Sequence, residues 1–307
     1  MYKRMLVPLD GSELAEVAFT YAKELAGRLD LDVVLLHVYG PHERDLTSMH
    51  LAYVKRSADI VRSQSLEVQQ KTGIQPGSRP IQVHSELVMG HPAEEILRYS
   101  DENNIDFILM GTHGRSGLRR WAIGSVADKV LRASKVPVWL FRPGLTEEII
   151  YDKWPRVTVL IPLDGSEVAE SVLPHGAALA RQRGIELINL VLLRVCEPPL
   201  IPADYPADMP LSWEEHVKQE TARSKRVAEQ YLAGVGKRLK DAGFQVRSAV
   251  LLGKPADEII DYTQRNPFNL IVMSTHGRSG VSRWAYGSVA EKVLQGVSSP
   301  IFLVRPR

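Results

Sequence analysis

The residues best suited to chemistry lie in two stretches, Thr112 to Ala127 and Thr275 to Ala290, which agree at 13 of 16 positions without a gap. The first, with Gly111 before it, fits the pattern Gly111-x2-Gly114-x9-Gly124-Ser125. Glycines at 111 and 114 would admit a phosphate without a Cβ in its path and would permit positive φ. Gly124 and Ser125 would open the following helix, turning unbonded N–H groups, the positive end of the helix dipole and a hydroxyl toward an anion. Arg115, Arg119 and Arg120 can add charge-assisted hydrogen bonds. A tight strand-to-helix connection with a serine N-cap and solvated arginines explains one such loop equally well. The recurrence of Gly277, Arg278, Gly287 and Ser288 favours phosphate binding.

A second constellation is Asp10-Gly-Ser-Glu, repeated as Asp164-Gly-Ser-Glu, each after a short apolar run. Ser12 and Ser166 read as caps of the helix that follows. That leaves the carboxylate spare to accept a hydrogen bond from a ribose hydroxyl or a base amine, as an acidic residue does in dinucleotide folds. His113 and His276 are solitary loop histidines with no second ligand at metal spacing; they read as hydrogen-bonded or solvent-facing rings, and no metal site is expected. Lys254 sits in Gly-Lys-Pro, yet no Gly-x4-Gly-Lys-Ser/Thr occurs, and no Gly-x-Gly-x2-Gly follows the first strand.

The elements that must position these residues are themselves duplicated. Leu6-Val-Pro-Leu-Asp-Gly-Ser-Glu recurs from Leu160, Val34-Leu-Leu-His-Val38 recurs as Val191-Leu-Leu-Arg-Val195, Gly90-His-Pro-Ala recurs from Gly253, and the segment from Val136 recurs from Ser299. In the first copy, residues 4–9, 32–38, 81–87, 106–111 and 136–141 read as strands, and 12–28, 50–72, 92–102 and 122–134 as helices. Near-continuous apolar strands suit a parallel sheet covered on both faces, and the alternation predicts a doubly wound domain. Ligands of such sheets bind beyond the carboxyl ends of the strands, where the strand order reverses, and the landmarks fall at those ends. Residues 143–155 read as a linker. Residues 197–210 hold five prolines and read as a stiff surface loop or a cover over the second site.

Composition narrows the partners. A formal net charge of +2 from 38 basic and 36 acidic residues leaves no electrostatic footprint for nucleic acid or an anionic membrane, so any affinity for phosphate must be local. The single Cys196 excludes an intrachain disulfide framework and fits a reducing compartment. No apolar signal region or run of 18 apolar residues occurs, so the expected location is cytoplasmic.

The ordered combination of Pro-Leu-Asp-Gly-Ser, Gly-x-Pro and Gly-x2-Gly-x9-Gly-Ser makes the chain resemble a tandem universal stress protein over essentially its whole length. The resemblance implies two five-stranded, Rossmann-like domains of the adenine-nucleotide alpha hydrolase type, over residues 1–145 and 155–307. Their fifth strands, from Val136 to Phe141 and Pro300 to Val304, would pair as an internal pseudo-dimer, with a homodimer of whole chains as a further option. By position it implies an adenine-nucleotide site at Pro8, Leu9, Asp10, Val38, Met110, Gly111, Gly114, Arg115, Gly124, Ser125 and Val126. In the second copy the site falls on Pro162, Leu163, Asp164, Val195, Met273, Gly277, Arg278, Gly287, Ser288 and Val289. The implied ligand is ATP, AMP or ADP, with Mg2+ carried on the phosphates. The implied function is nucleotide-dependent regulation in a stress response, without catalysis. Two alternatives stay open: weak ATP hydrolysis, for which Asp10 or His113 are the only candidate bases, and a structural protein with empty loops. One departure stands out. Ser274 replaces the motif's first glycine, so the second loop is expected to reach glycine-only conformations less readily and to bind more weakly.

Overall fold

The structure, a computed structural model, describes residues 1–73, 80–112, 123–142, 156–199, 213–276 and 287–306, with the backbone alone over 13–16. The first half runs β1 (Arg4–Leu9), α1 (Glu13–Leu29), β2 (Asp32–Tyr39), a 3-10 turn (Pro41–Leu46), α2 (Thr47–Thr72), β3 (Val83–Met89), α3 (Pro92–Glu102), β4 (Phe107–Gly111), α4 (Ser125–Ala133) and β5 (Val138–Phe141). The second half runs β6 (Val157–Pro162), α5 (Glu167–Glu170), α6 (Leu173–Arg183), a 3-10 turn (Ile185–Leu187) and β7 (Ile188–Cys196). It continues through α7 (Trp213–Asp241), β8 (Gln245–Leu252), α8 (Pro255–Arg265), β9 (Leu270–Ser274), α9 (Ser288–Gly296) and β10 (Ile301–Val304).

The expected alternation is observed, with small boundary shifts. The second helix starts at Thr47 rather than 50, the third strand spans Val83–Met89 rather than 81–87, and the last strand starts at Val138. The larger difference is in the second half, where the single α1 is replaced by α5 and α6. Pro174 stands in the first turn of α6 and has no N–H to continue the ladder from α5. The expected linker over 143–155 and most of the proline-rich segment lie outside the described residues.

All the described strands form one sheet, in the order β3-β2-β1-β4-β5-β10-β9-β6-β7-β8. Among the described residues, pairing is parallel within each half and antiparallel only at the seam, where Trp139 lies opposite Phe302. Each half thus has the order 3-2-1-4-5 or its counterpart, which reverses direction between its first and fourth strands. One core layer lies beneath α1, α2, α6 and α7 and the other beneath α3, α4, α8 and α9, and both run through the two halves.

The expected pseudo-dimer is held by more than the strand pair. Trp139 and Phe302 meet edge to face at 5.6 Å, with Phe107 and Tyr2 completing the cluster, and the rings of Trp139, Phe107 and Phe302 are fully buried. Tyr2 reaches across to His175 through its hydroxyl at 2.6 Å. Reciprocal arginines clamp the two halves. Arg142 donates to the carbonyls of Leu294 and Gln295 at the end of α9, and Arg305 donates to the carbonyl of Arg132 at the end of α4, 2.8 Å away. A cation at these ends satisfies orphan carbonyls and opposes the negative pole of the helix.

Candidate functional site

β1 and β4 are neighbours, as are β6 and β9, so the tips that carry the motifs lie side by side at the reversal point. Pro8 and Leu9 close β1, Asp10 follows, Val38 lies one residue before the end of β2, and Met110 and Gly111 close β4. Leu9 and Met110 are buried. In the second half, Pro162 ends β6, Leu163 and Asp164 follow, Val195 is the penultimate residue of β7, and Met273 and Ser274 end β9.

Each Asp-Gly-Ser forms the same turn. The Ser12 N–H and hydroxyl both donate to Asp10 Oδ1, at 3.0 and 2.6 Å, and Ser166 repeats this with Asp164 at 2.9 and 2.6 Å. The turn needs the left-handed backbone of Gly11 (φ 74°) and Gly165 (φ 84°). Two expectations are corrected here. The carboxylate is not spare, because its Oδ1 organises the turn. Only Ser166 caps its helix, accepting from the Ala169 N–H at 3.1 Å, whereas Ser12 is the N-cap residue of α1 but makes no side-chain cap bond.

The arms of each glycine loop are tied at its base. Gly124 N–H donates to the Thr112 carbonyl at 2.7 Å while Thr112 N–H donates to Phe141 at 3.0 Å, and Gly287 and Thr275 repeat the arrangement. These bonds set the start of α4 beside the tip of β4, and that of α9 beside β9. Gly124 and Gly287 are N-cap residues, with Ser125 and Ser288 in the first helical positions rather than as caps. The first bonds within the helices run from Asp128 N–H to Gly124 and from Glu291 N–H to Gly287. The N–H groups of Ser125, Val126 and Ala127, and of Ser288, Val289 and Ala290, therefore have no acceptor inside their own helix. Residues 113–122 and 277–286, which carry Gly114, Arg115, Arg119, Arg120, His113, Gly277 and Arg278, lie outside the described residues.

The glycine reasoning also needs correction. Of the two glycines expected to use positive φ, Gly111 is an extended strand residue that does not require it and Gly114 lies outside the described residues; Gly124 and Gly287 have φ near −62° and −63°. Ser274 occupies the same strand position as Gly111 without strain, and its hydroxyl donates to the His276 carbonyl at the root of the loop. The conformational argument for a weaker second site therefore falls. His276 pairs through Nδ1 with the Thr275 hydroxyl at 3.0 Å, as expected of a hydrogen-bonded loop histidine.

In the second half these parts enclose a cavity of about 600 Å3. Pro162, Leu163, Asp164, Val195, Met273, Gly287, Ser288 and Val289 all line it. The cavity extends beyond the predicted residues to Arg194 and to one face of α7, where Glu220, Arg223, Ser224 and Val227 form a wall. Arg194 was legible as the replacement of histidine within the repeated second-strand motif. The α7 wall had no motif to mark it. Among the described residues no three His, Cys, Asp or Glu side chains cluster as metal ligands, and no helix is long and apolar enough to cross a membrane.

Comparison with known proteins agrees with this geometry. A universal stress protein of Mycolicibacterium smegmatis is 26% identical over 99% of this chain and 97% of its own length. One from Methanocaldococcus jannaschii is 30% identical over 152 residues, covering 45% of this chain and 93% of its own. The crystal structure of a universal stress protein from Archaeoglobus fulgidus superposes with a TM-score of 0.65 at 21% identity, covering 98% of both chains. The profile of the universal stress protein family matches twice, over residues 1–142 and 156–305, and the chain belongs to that family as two domains in tandem.

Proposed function

We propose that the chain is an adenine-nucleotide-binding regulatory protein of a stress response, with one site in each half. The carrying observation is the repeated pairing of a helix start, whose first three N–H groups lack acceptors within the helix, with an aspartate one strand away. A helix start of this kind stabilises an anion through N–H donors and the positive pole together. Adjacent strands lie about 4.8 Å apart, so a phosphate at the helix start leaves the ribose over the tip of β1 or β6 and the base toward β2 or β7. A cavity of about 600 Å3 suits a ligand of nucleotide size.

The chain supplies donors for phosphate and no metal cluster of its own among the described residues, so Mg2+ would arrive bound to the phosphates. The proposed role is binding without turnover. Of the two candidate bases, Asp10 is held in its turn by Ser12, as Asp164 is by Ser166, and His113 lies outside the described residues.

The test uses Gly124→Asp and Gly287→Asp. Both positions have extended N-cap backbone that aspartate adopts readily, while the new carboxylate occupies the anion position. Calorimetric titration with ATP and Mg2+ should show two sites in the parent, one in each single variant and none in the double variant. Absence of heat from ATP, ADP and AMP with the parent chain would overturn the reading.

A further inference from the structure

We propose that Arg194 reads the base in the second site and makes that site bind a guanine nucleotide more tightly than the adenine nucleotide it also accepts. The inference rests on the nucleotide reading above and assigns the base to one of its sites.

Arg194 stands at the carboxyl end of β7 and lines the cavity. Its guanidinium lies over the Tyr231 ring at 5.0 Å and against the Gly165 turn, where an ideal Cβ would come within 2.8 Å of its terminal nitrogen. Stacking on an aromatic face fixes the plane of the fork while leaving its N–H edges available. Among the described residues the guanidinium has no hydrogen-bond or ion-pair partner. A half-buried arginine positioned without an acceptor, on the wall of a cavity, calls for a ligand acceptor.

The position of Arg194 defines which part of a nucleotide it meets. The anion position at the start of α9 belongs to β9, and β7 lies two strands away across β6, roughly 9.6 Å at ordinary strand spacing. A phosphate at α9 therefore puts the far end of the nucleotide, its base, at Arg194. The guanidinium fork pairs with two adjacent acceptors, which guanine presents as O6 and N7; adenine presents N7 beside an amine that would face the arginine donor to donor.

The first half lacks this device. Its equivalent residue is His37, 1% exposed, whose Nδ1–H donates to the Leu9 carbonyl at 3.0 Å. In the neutral ring Nε2 is then the unprotonated nitrogen, which accepts from His50 Nδ1 at 2.9 Å. That ring is engaged within the fold and presents no donor fork to a base.

The experiment uses the full chain carrying Gly124→Asp, so that the second site alone reports. Titrations with GTP and ATP, each with Mg2+, should give about tenfold tighter binding of GTP, and Arg194→His should bring the ratio within about twofold. The unaltered protein offers an independent check: 7-deaza-GTP, which lacks the N7 acceptor, should bind about tenfold more weakly than GTP. ATP binding as tight as GTP, or 7-deaza-GTP equal to GTP, overturns the inference and leaves the nucleotide reading intact. If neither nucleotide binds either site of the parent chain, the nucleotide reading fails first and this inference with it.

Discussion

Replacing Arg142 with alanine tests whether the two halves are clamped by crossed helix caps. One Nη of Arg142 donates to the Leu294 carbonyl and, at 2.7 Å, to that of Gln295, both at the end of α9 in the other half. A hydrogen bond to a charged group contributes about 1.5–3 kcal/mol, and a cation at a helix C-terminus about 0.3–1 kcal/mol. The two bonds share one nitrogen and the site is partly solvated, so they do not add, and the freed carbonyls recover water. A net cost of about 2 kcal/mol follows, which at roughly 2–4 °C per kcal/mol lowers Tm by about 4–8 °C. Calorimetric melting of the parent, Arg142→Ala and Arg98→Ala would decide it. Arg98 pairs with Glu95 and Glu102 on the exposed surface of α3, where its loss should move Tm by less than about 2 °C. Because α9 also opens the second site, Arg142→Ala, a change in the first half, should weaken nucleotide binding in the second half more than in the first. Equal melting of Arg142→Ala and Arg98→Ala would refute the clamp.

Two further outcomes follow from the seam. Trp139→Ala removes a fully buried ring that packs on Phe107 and Phe302 and should cost about 3–5 kcal/mol, read as a lowered midpoint in urea. Tyr2 gives a pH signature. Burial, with a smaller contribution from the Asp106 carboxylate, holds its phenol well above the ordinary tyrosine range. The folded chain then binds that proton more tightly than the unfolded chain, so the stabilisation is complete below about pH 10 and is lost as pH rises toward the folded value. Tyr2→Phe should therefore lose less stability than the parent between about pH 10 and 11.5; the same alkaline slope in both proteins would count against a buried, protonated Tyr2.

Much of the architecture is determined by local sequence. Apolar runs such as Val33-Val-Leu-Leu36 are too continuous for a one-sided sheet, Asp-Gly-Ser supplies both the turn and its glycine, and the repeated landmarks require two similar domains. Their order also places the candidate residues at strand ends, since in a doubly wound domain each motif that follows a strand lies at the same edge of the sheet.

Tertiary structure decided the rest, because it depends on which atoms find partners across long separations. Whether the Asp10 carboxylate was spare depended on the Ser12 hydroxyl turning back to it instead of capping α1. Whether Gly111 needed positive φ depended on its place in a ladder opposite Phe141, and there Ser274 serves as well. Neither arginine clamp nor the α7 wall of the second cavity has a local signature, since each joins residues far apart in the chain. The repeat marked two candidate sites and set them apart at Ser274. The fold shows the Ser274 hydroxyl bonded within its own loop, the His37 ring bonded within the core and the guanidinium of Arg194, its counterpart in the repeat, on the cavity wall.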